Sequence, residues 1–224
     1  MKKHAFTLAE VLITLGIIGV AAALTLPVLI QKQNDAARIA ALKKAYSVLS
    51  QALQRAVADN GEYQNWDNTL NTWQKSKGWY SNYLKPYLKV IKECDNTTGC
   101  WAKGYTKTLS GGTAGTDSVG TGLANFNFVL ADGMYINMDS YANTVAYSRF
   151  GVNTNLDRTL GIFADVNGDK GPNQIGRDIF AFVFNEKGLI PAGTDNDSAN
   201  CITITNGTGY DCTAKVLSEG RIDY

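Results

Sequence analysis

Histidine is almost missing from this chain. The one histidine is His4, so nothing beyond the first four residues supplies an imidazole. A Ser–His–Asp triad, a Cys–His pair and a histidine metal ligand are thereby excluded for the body of the protein. Net charge is nearly missing as well. The 21 Lys and Arg stand against 20 Asp and Glu, for a formal charge of +1, which leaves no overall field to gather nucleic acid or anionic lipid. No internal repeat is found. The glycine-rich stretch from Ser110 to Gly122, SGGTAGTDSVGTG, lacks the Gly-Lys-Ser/Thr ending of a phosphate-binding loop and reads as a flexible connection. Carboxylates are plentiful, but no spacing singles out an acid/base couple. The expectation is a protein that is not an enzyme.

Cysteine is scarce but patterned. The four cysteines form two close pairs, Cys94 with Cys100 and Cys201 with Cys212. Such short separations suit local disulfides, which persist in oxidising compartments. Four reduced, buried thiols are the alternative, and four cysteines permit three connectivities.

What the chain does have is one long apolar run. Met1-Lys2-Lys3 opens it, and Val11 to Ile30 supplies 20 residues without a charge, enough to cross a bilayer core of about 30 Å. No small-residue cleavage site follows the run, so it does not read as an ordinary secretory signal. Lysines precede it and none recurs until Lys32, which places the N-terminus in the cytoplasm and the bulk of the chain outside. Glu10 is the anomaly. A carboxylate at membrane depth costs several kcal/mol unless paired, and marks a functional site.

The residues AFTLAEVLITLGIIGVAAALTLP, preceded by the basic leader, resemble the N-terminal signal of type IV pilins and type II secretion pseudopilins. Leader, Phe6, Glu10, apolar run and Pro27 all fall at that family's spacing. Ala5 stands where the family most often has Gly. The resemblance implies that a prepilin peptidase cuts between Ala5 and Phe6 and methylates the new Phe6 amine. It implies a subunit held in the bacterial inner membrane with its globular part in the periplasm, then assembled with itself or other pilins into a pilus or pseudopilus filament. In that filament Glu10 would meet the Phe6 amine of a neighbour and set register, the best-attested use of a buried ion pair. The expected layout is a leader over 1–5, a transmembrane half-helix over 6–30, an amphipathic half over 31–60 and a globular domain over 61–224. The alternative is a monomeric, membrane-anchored binding or adhesion domain, for which Glu10 has no evident use.

The remainder fits an α+β domain. Ile39, Leu42, Tyr46, Leu49 and Leu53 follow helical spacing, and Asn60-Gly61 ends the pattern, so one helix is predicted from about Thr7 to Asp59. Pro27, Gly16 and Gly19 are places for it to bend. NTWQKSKGWYSNYLKPYLKVIKEC reads as a second helical stretch, interrupted at Pro86. Its Lys75, Lys77, Lys85, Lys89 and Lys92 lie among aromatics and can contact nucleic acid; a solvated lysine face is the simpler reading. Phe126–Leu130 and Met134–Met138 read as a hairpin about Asp132-Gly133. GIFADV and DIFAFVFNEKGLIP read as further strands with a turn at Asn185–Gly188. A long helix packed on a small antiparallel sheet is the layout the pilin resemblance implies.

One constellation suggests a ligand. In ADVNGDKGPNQIGRDIF, Asp165, Asn167 and Asp169 place oxygens at alternate positions, with Asp178 to close the shell, as calcium loops do. The glycine positions and Gly176 in place of a closing glutamate exclude an EF-hand, and an Asx-rich turn is the plainer reading. No other cofactor is expected. The polar tail from Asp195 holds the Cys201/Cys212 pair, which resembles the disulfide-bounded loop near the C-terminus of many pilins. Asn96-Thr97-Thr98, Asn196-Asp197-Ser198 and Asn206-Gly207-Thr208 match the glycosylation sequon, a short pattern that recurs by chance.

Overall fold

The computed structural model describes residues 7–95, 99–101, 106–114, 125–199, 201 and 207–224. Its contacts divide the chain into two units, Met1–Ala37 and Arg38–Tyr224, and helix α1 (Leu8–Asn60) contributes to both. α1 is helical through Pro27, although proline has no N–H to offer the carbonyl one turn earlier. Its end is set locally. Gly61 takes φ +82°, open to glycine, and its N–H closes on the Val57 carbonyl at 2.9 Å.

In the first unit the large apolar side chains of α1 are exposed: Leu12, Ile17, Val20 and Leu24 among them. α1 is long and apolar enough to cross a membrane. In the second unit the pattern turns amphipathic. Leu42, Ala45, Leu49, Ala52, Leu53 and Ala56 are buried at three-and-four spacing, on one face.

That face meets a six-stranded antiparallel meander, in sequence order: β1 (Val90–Cys94), β2 (Phe126–Leu130), β3 (Tyr135–Ala142), β4 (Arg158–Asp165), β5 (Ile179–Asn185) and β6 (Gly188–Pro191). Strand alternation sorts the side chains onto two faces. Phe128, Ile136, Leu160, Ile162, Phe180, Phe182 and Phe184 join the α1 core, and Tyr46 stacks on Phe182 at 5.8 Å. Phe163, Ala181 and Val183 point the other way. They are covered by Phe150 of α3 (Asn143–Phe150), by Val152 and by Tyr210. Both faces of β5 are therefore buried, which is why its sequence, IFAFVFN, is apolar without alternation. α4 (Cys212–Glu219) closes the C-terminal side, where the Thr213 hydroxyl accepts the Ala181 N–H at 3.0 Å.

The fold is α+β with a pilin-like layout, and it corrects the expected second helical stretch. α2 spans only Trp73–Tyr83, capped by Thr72, whose hydroxyl accepts the Lys75 N–H. A 3-10 turn at Lys85–Tyr87 carries Pro86, and Val90–Cys94 is an edge strand, not helix. Proline disfavours helix in the residue before it. β-branched Val90 and Ile91 then find a partner in β2, which local spacing does not reveal. The hairpin and the β4–β6 strands lie where expected. α3 and α4 were not anticipated, since each is short and stabilised by packing more than by propensity.

Candidate functional site

Two regions carry the chemistry singled out above. The first is the start of α1. Ala5 and Phe6 lie outside the described residues, and so does His4. Thr7 and Glu10 are described, and they form a reciprocal N-terminal cap. The Glu10 Oε2 accepts the Thr7 N–H at 2.8 Å and the Thr7 hydroxyl at 2.8 Å, while Thr7 Oγ1 accepts the Glu10 N–H at 3.2 Å. This is a capping box, in which two otherwise unpaired backbone donors are satisfied. Glu10 therefore has a use inside its own helix, one that the Thr-x-x-Glu spacing permits and that an anchor without partners would share.

The second region is the connection from β4 to β5. Asp165 ends β4 and pairs in register with Ile179. The chain then turns back so that the Val166 N–H reaches the Asp178 carbonyl at 2.9 Å. Both carboxylates are fully buried. Asp165 Oδ1 accepts the N–H groups of Asn167 (3.2 Å) and Gly168 (3.0 Å). Asp178 accepts those of Gln174 on Oδ1 (2.7 Å) and Asn173 on Oδ2 (2.9 Å). Asn167 Nδ2 donates to Asp178 Oδ2 and to the Gly171 carbonyl, both at 3.3 Å. Arg38 of α1 donates to the same Gly171 carbonyl at 3.2 Å.

Burial, reinforced by the neighbouring Asp178 charge, pushes the Asp165 carboxyl up to about 8. Burial raises Asp178 too, against the Gln174 and Asn173 N–H groups and the Arg38 guanidinium. Three buried oxygens of the loop have no donor: Asp165 Oδ2, Asn167 Oδ1 and Asn173 Oδ1.

The four residues expected to bind calcium thus part company. Asp165, Asn167 and Asp178 come together. Asp169 is exposed and accepts a hydrogen bond from Tyr135, whose hydroxyl is held above its usual range chiefly by burial and then by this carboxylate. Among the described residues no three His, Cys, Asp or Glu side chains cluster around one point. Asn173 and Arg38 belong to the loop's polar network and were missed. Asn173 takes φ +56°, a conformation asparagine tolerates, but only the folded loop shows it beside Asp178.

Other sequence signals are absorbed by structure. Lys77 pairs with Asp95, Lys85 with Glu93 at 2.7 Å, and Lys92 donates to the Gly99 carbonyl at 2.9 Å, so the lysine stretch is interleaved with its own acceptors. Asn196 of one sequon donates to Asp211 at 2.9 Å and accepts the Ser198 N–H at 3.1 Å, which ties its amide to the fold. Asn96 and Asn206 lie outside the described residues. Disulfides join Cys94 to Cys100 and Cys201 to Cys212.

Comparison with known proteins returns two families. The prokaryotic N-terminal methylation motif matches residues 1–26, and a family of unknown function, DUF6613, matches residues 28–202. No curated protein and no solved structure matches the chain. The chain therefore belongs to the DUF6613 family and carries at its head the methylation motif of type IV pilins and pseudopilins.

Proposed function

We propose that this protein is a structural subunit of a type IV pilus or type II secretion pseudopilus. Its leader is removed between Ala5 and Phe6 by prepilin peptidase, and the Phe6 amine is methylated. The subunit waits in the inner membrane with its globular unit in the periplasm, then enters a filament of like subunits or of several pilins. The observation that carries this reading is the methylation motif over residues 1–26 running into a helix whose apolar side chains from Leu8 to Ile30 are exposed. A filament packs such helices together and excludes water, where an unpaired carboxylate would be expensive; a neighbour's amine answers Glu10 and rejects slipped registers.

The capping box favours the second reading, a monomeric anchored domain, because there Glu10 has work to do without a partner. The two readings separate at one substitution. Glutamine at the third helical position preserves a capping box but carries no charge. In cells competent for assembly, Glu10→Gln and Glu10→Val are both expected to leave insertion and cleavage intact and to lower the ratio of sheared-filament to membrane protein, with Glu10→Gln intermediate at best. Wild-type assembly by Glu10→Gln would show that capping suffices and would remove the register role. Intact mass of the membrane-extracted protein checks processing; retention of residues 1–5 would refute it.

A further inference from the structure

We propose that the cavity between the second half of α1 and the β5–β6 turn binds an organic cation: an ammonium on an apolar stem, the size of a lysine side chain. Its lining residues all lie in the second unit, so the site stands apart from the filament reading and can fail without touching it.

The cavity measures about 430 Å³; cavities that hold small ligands run from about 300 to 1,000 Å³. Burial sorts its lining into layers. Leu53 of α1, Tyr63, Phe184 and Leu189 are each no more than 6% exposed and form the inner wall. Gln54, Glu62 and Lys187 are exposed and form the mouth, with Glu186 half-buried between the layers. An apolar interior beneath a polar mouth suits a ligand that buries a stem and keeps a polar head near water.

Glu186 decides the sign of that head. Its Oε1 accepts the Asn155 N–H at 2.9 Å, and its Oε2 accepts the Thr154 hydroxyl at 2.7 Å. Burial opposes the charge, but these hydrogen bonds outweigh it and keep the carboxyl below its usual range, so it is ionised at neutral pH. Glu62 is the second carboxylate, and it accepts Gln64 Nε2 at 2.6 Å. All three donors are neutral groups. Among the described lining residues the one cation is Lys187. Its ammonium donates to the Asn153 carbonyl at 3.4 Å, and its charge acts on Glu186 more weakly than the two hydrogen bonds do.

Any group that fills the cavity takes water away from Glu186. A neutral group would leave a fixed charge desolvated, and an anion would add repulsion. A cation compensates both carboxylates. The inner wall favours the same sign. Tyr63 and Phe184 lie with ring centroids 4.4 Å apart, and aromatic faces attract cations. A bare metal ion fits worse, since it wants oxygen on all sides and the inner wall is apolar.

The test uses the full chain in a neutral detergent, titrated calorimetrically at pH 7 with three probes of one length: pentylamine, pentanol and pentanoate. A Gly-Lys-Gly peptide with blocked ends is the fourth. Pentylamine or the peptide is expected to bind once per chain, with pentanol and pentanoate at least about tenfold weaker. Binding of the peptide alone assigns the natural cation to a protein lysine, and binding of pentylamine to a free amine. Glu186→Gln should weaken binding about tenfold, as loss of a charged hydrogen-bond partner does, and Glu62→Gln less. Gln54→Trp, which fills the mouth from an exposed helical position, should abolish binding. Lys187→Gln removes the competing ammonium and should tighten it. The parent titrations decide the matter even if a variant fails to fold. Absence of saturable binding by both pentylamine and the peptide, or equal binding of pentanol or pentanoate, would overturn the proposal. So would parent-like binding by both Glu186→Gln and Gln54→Trp.

Discussion

A methyl group on Gly168 would meet the Gly133 carbonyl oxygen at 2.7 Å, from a backbone held at φ +62°. The β4–β5 loop rests on the β2–β3 turn at that point, and only glycine permits so close an approach in that conformation. Gly168→Ala is expected to destabilise the protein by roughly 1–3 kcal/mol through backbone strain and displacement of the turn. Urea unfolding of parent and variant measures it; an unchanged midpoint would mean the turn moves aside freely. Glu186 makes a second residue-scale statement. Burial raises its carboxyl, but the Asn155 N–H (2.9 Å) and Thr154 hydroxyl (2.7 Å) outweigh it and hold the group below its usual 4.5. The folded value being the lower one, the stabilisation is complete above the unfolded value and is lost as pH falls through the folded value. The stability gap between parent and Glu186→Gln should be constant near neutrality and shrink as pH falls below about 4.5. A gap that stays constant to pH 3 would assign Glu186 no charge-dependent role.

At the scale of elements, α1 is one helix with two different tasks. Leu49 is 0% exposed against the sheet, whereas Leu24 is 71% exposed in the apolar first unit. Leu49→Ala should cost about 2–5 kcal/mol, the usual range for a buried leucine replaced by alanine. Leu24→Ala should leave the unfolding of the globular unit unchanged. The readout is the near-ultraviolet circular dichroism melt, which follows the tertiary packing of Trp66, Trp79 and Tyr83 (Trp66 stacks on Tyr83 at 4.2 Å). If the two variants melt alike, the division of α1 is wrong. The same contrast explains why the first half must find another medium. Side chains of this size stay out of water in lipid or between packed helices, where each buried apolar residue contributes about 1.5–3 kcal/mol.

For the molecule as a whole, the disulfides close what the sheet leaves open. Cys94 ends edge strand β1, and Cys212 begins α4, beside the Thr213 contact with β5. By loop entropy each bond is worth roughly 2–4 kcal/mol, and the separations of 11 and 6 residues differ by only about 0.5 kcal/mol. Loop length therefore does not rank them. The Cys201–Cys212 bond, both cysteines fully buried, should matter more, because losing it frees the start of the helix that covers β5. The paired serine variants, compared by thermal melt, check this; a larger loss at Cys94–Cys100 would reverse the ranking. Non-reducing peptide mapping should recover both local pairs and no cross-pairs.

The sequence alone determined what depends on neighbours along the chain. The methylation motif, the length of α1, its end at Gly61, and the hairpins about Asp132-Gly133 and Asn185–Gly188 were legible because periodicity and turn chemistry act over a few residues. Only the tertiary structure decided what depends on distant partners. Val90–Cys94 became a strand because β2 lay alongside it, against the local helical reading. α3 exists because the second face of the sheet needed covering, and α4 because Val216 found a place in the core on the first. In the β4–β5 loop, spacing correctly grouped Asp165 and Asn167 with Asp178 but could not send Asp169 out to Tyr135, nor bring in Asn173 and Arg38. Which oxygens of a loop are left without a donor depends on every segment packed against it, and one-dimensional spacing carries no record of those segments.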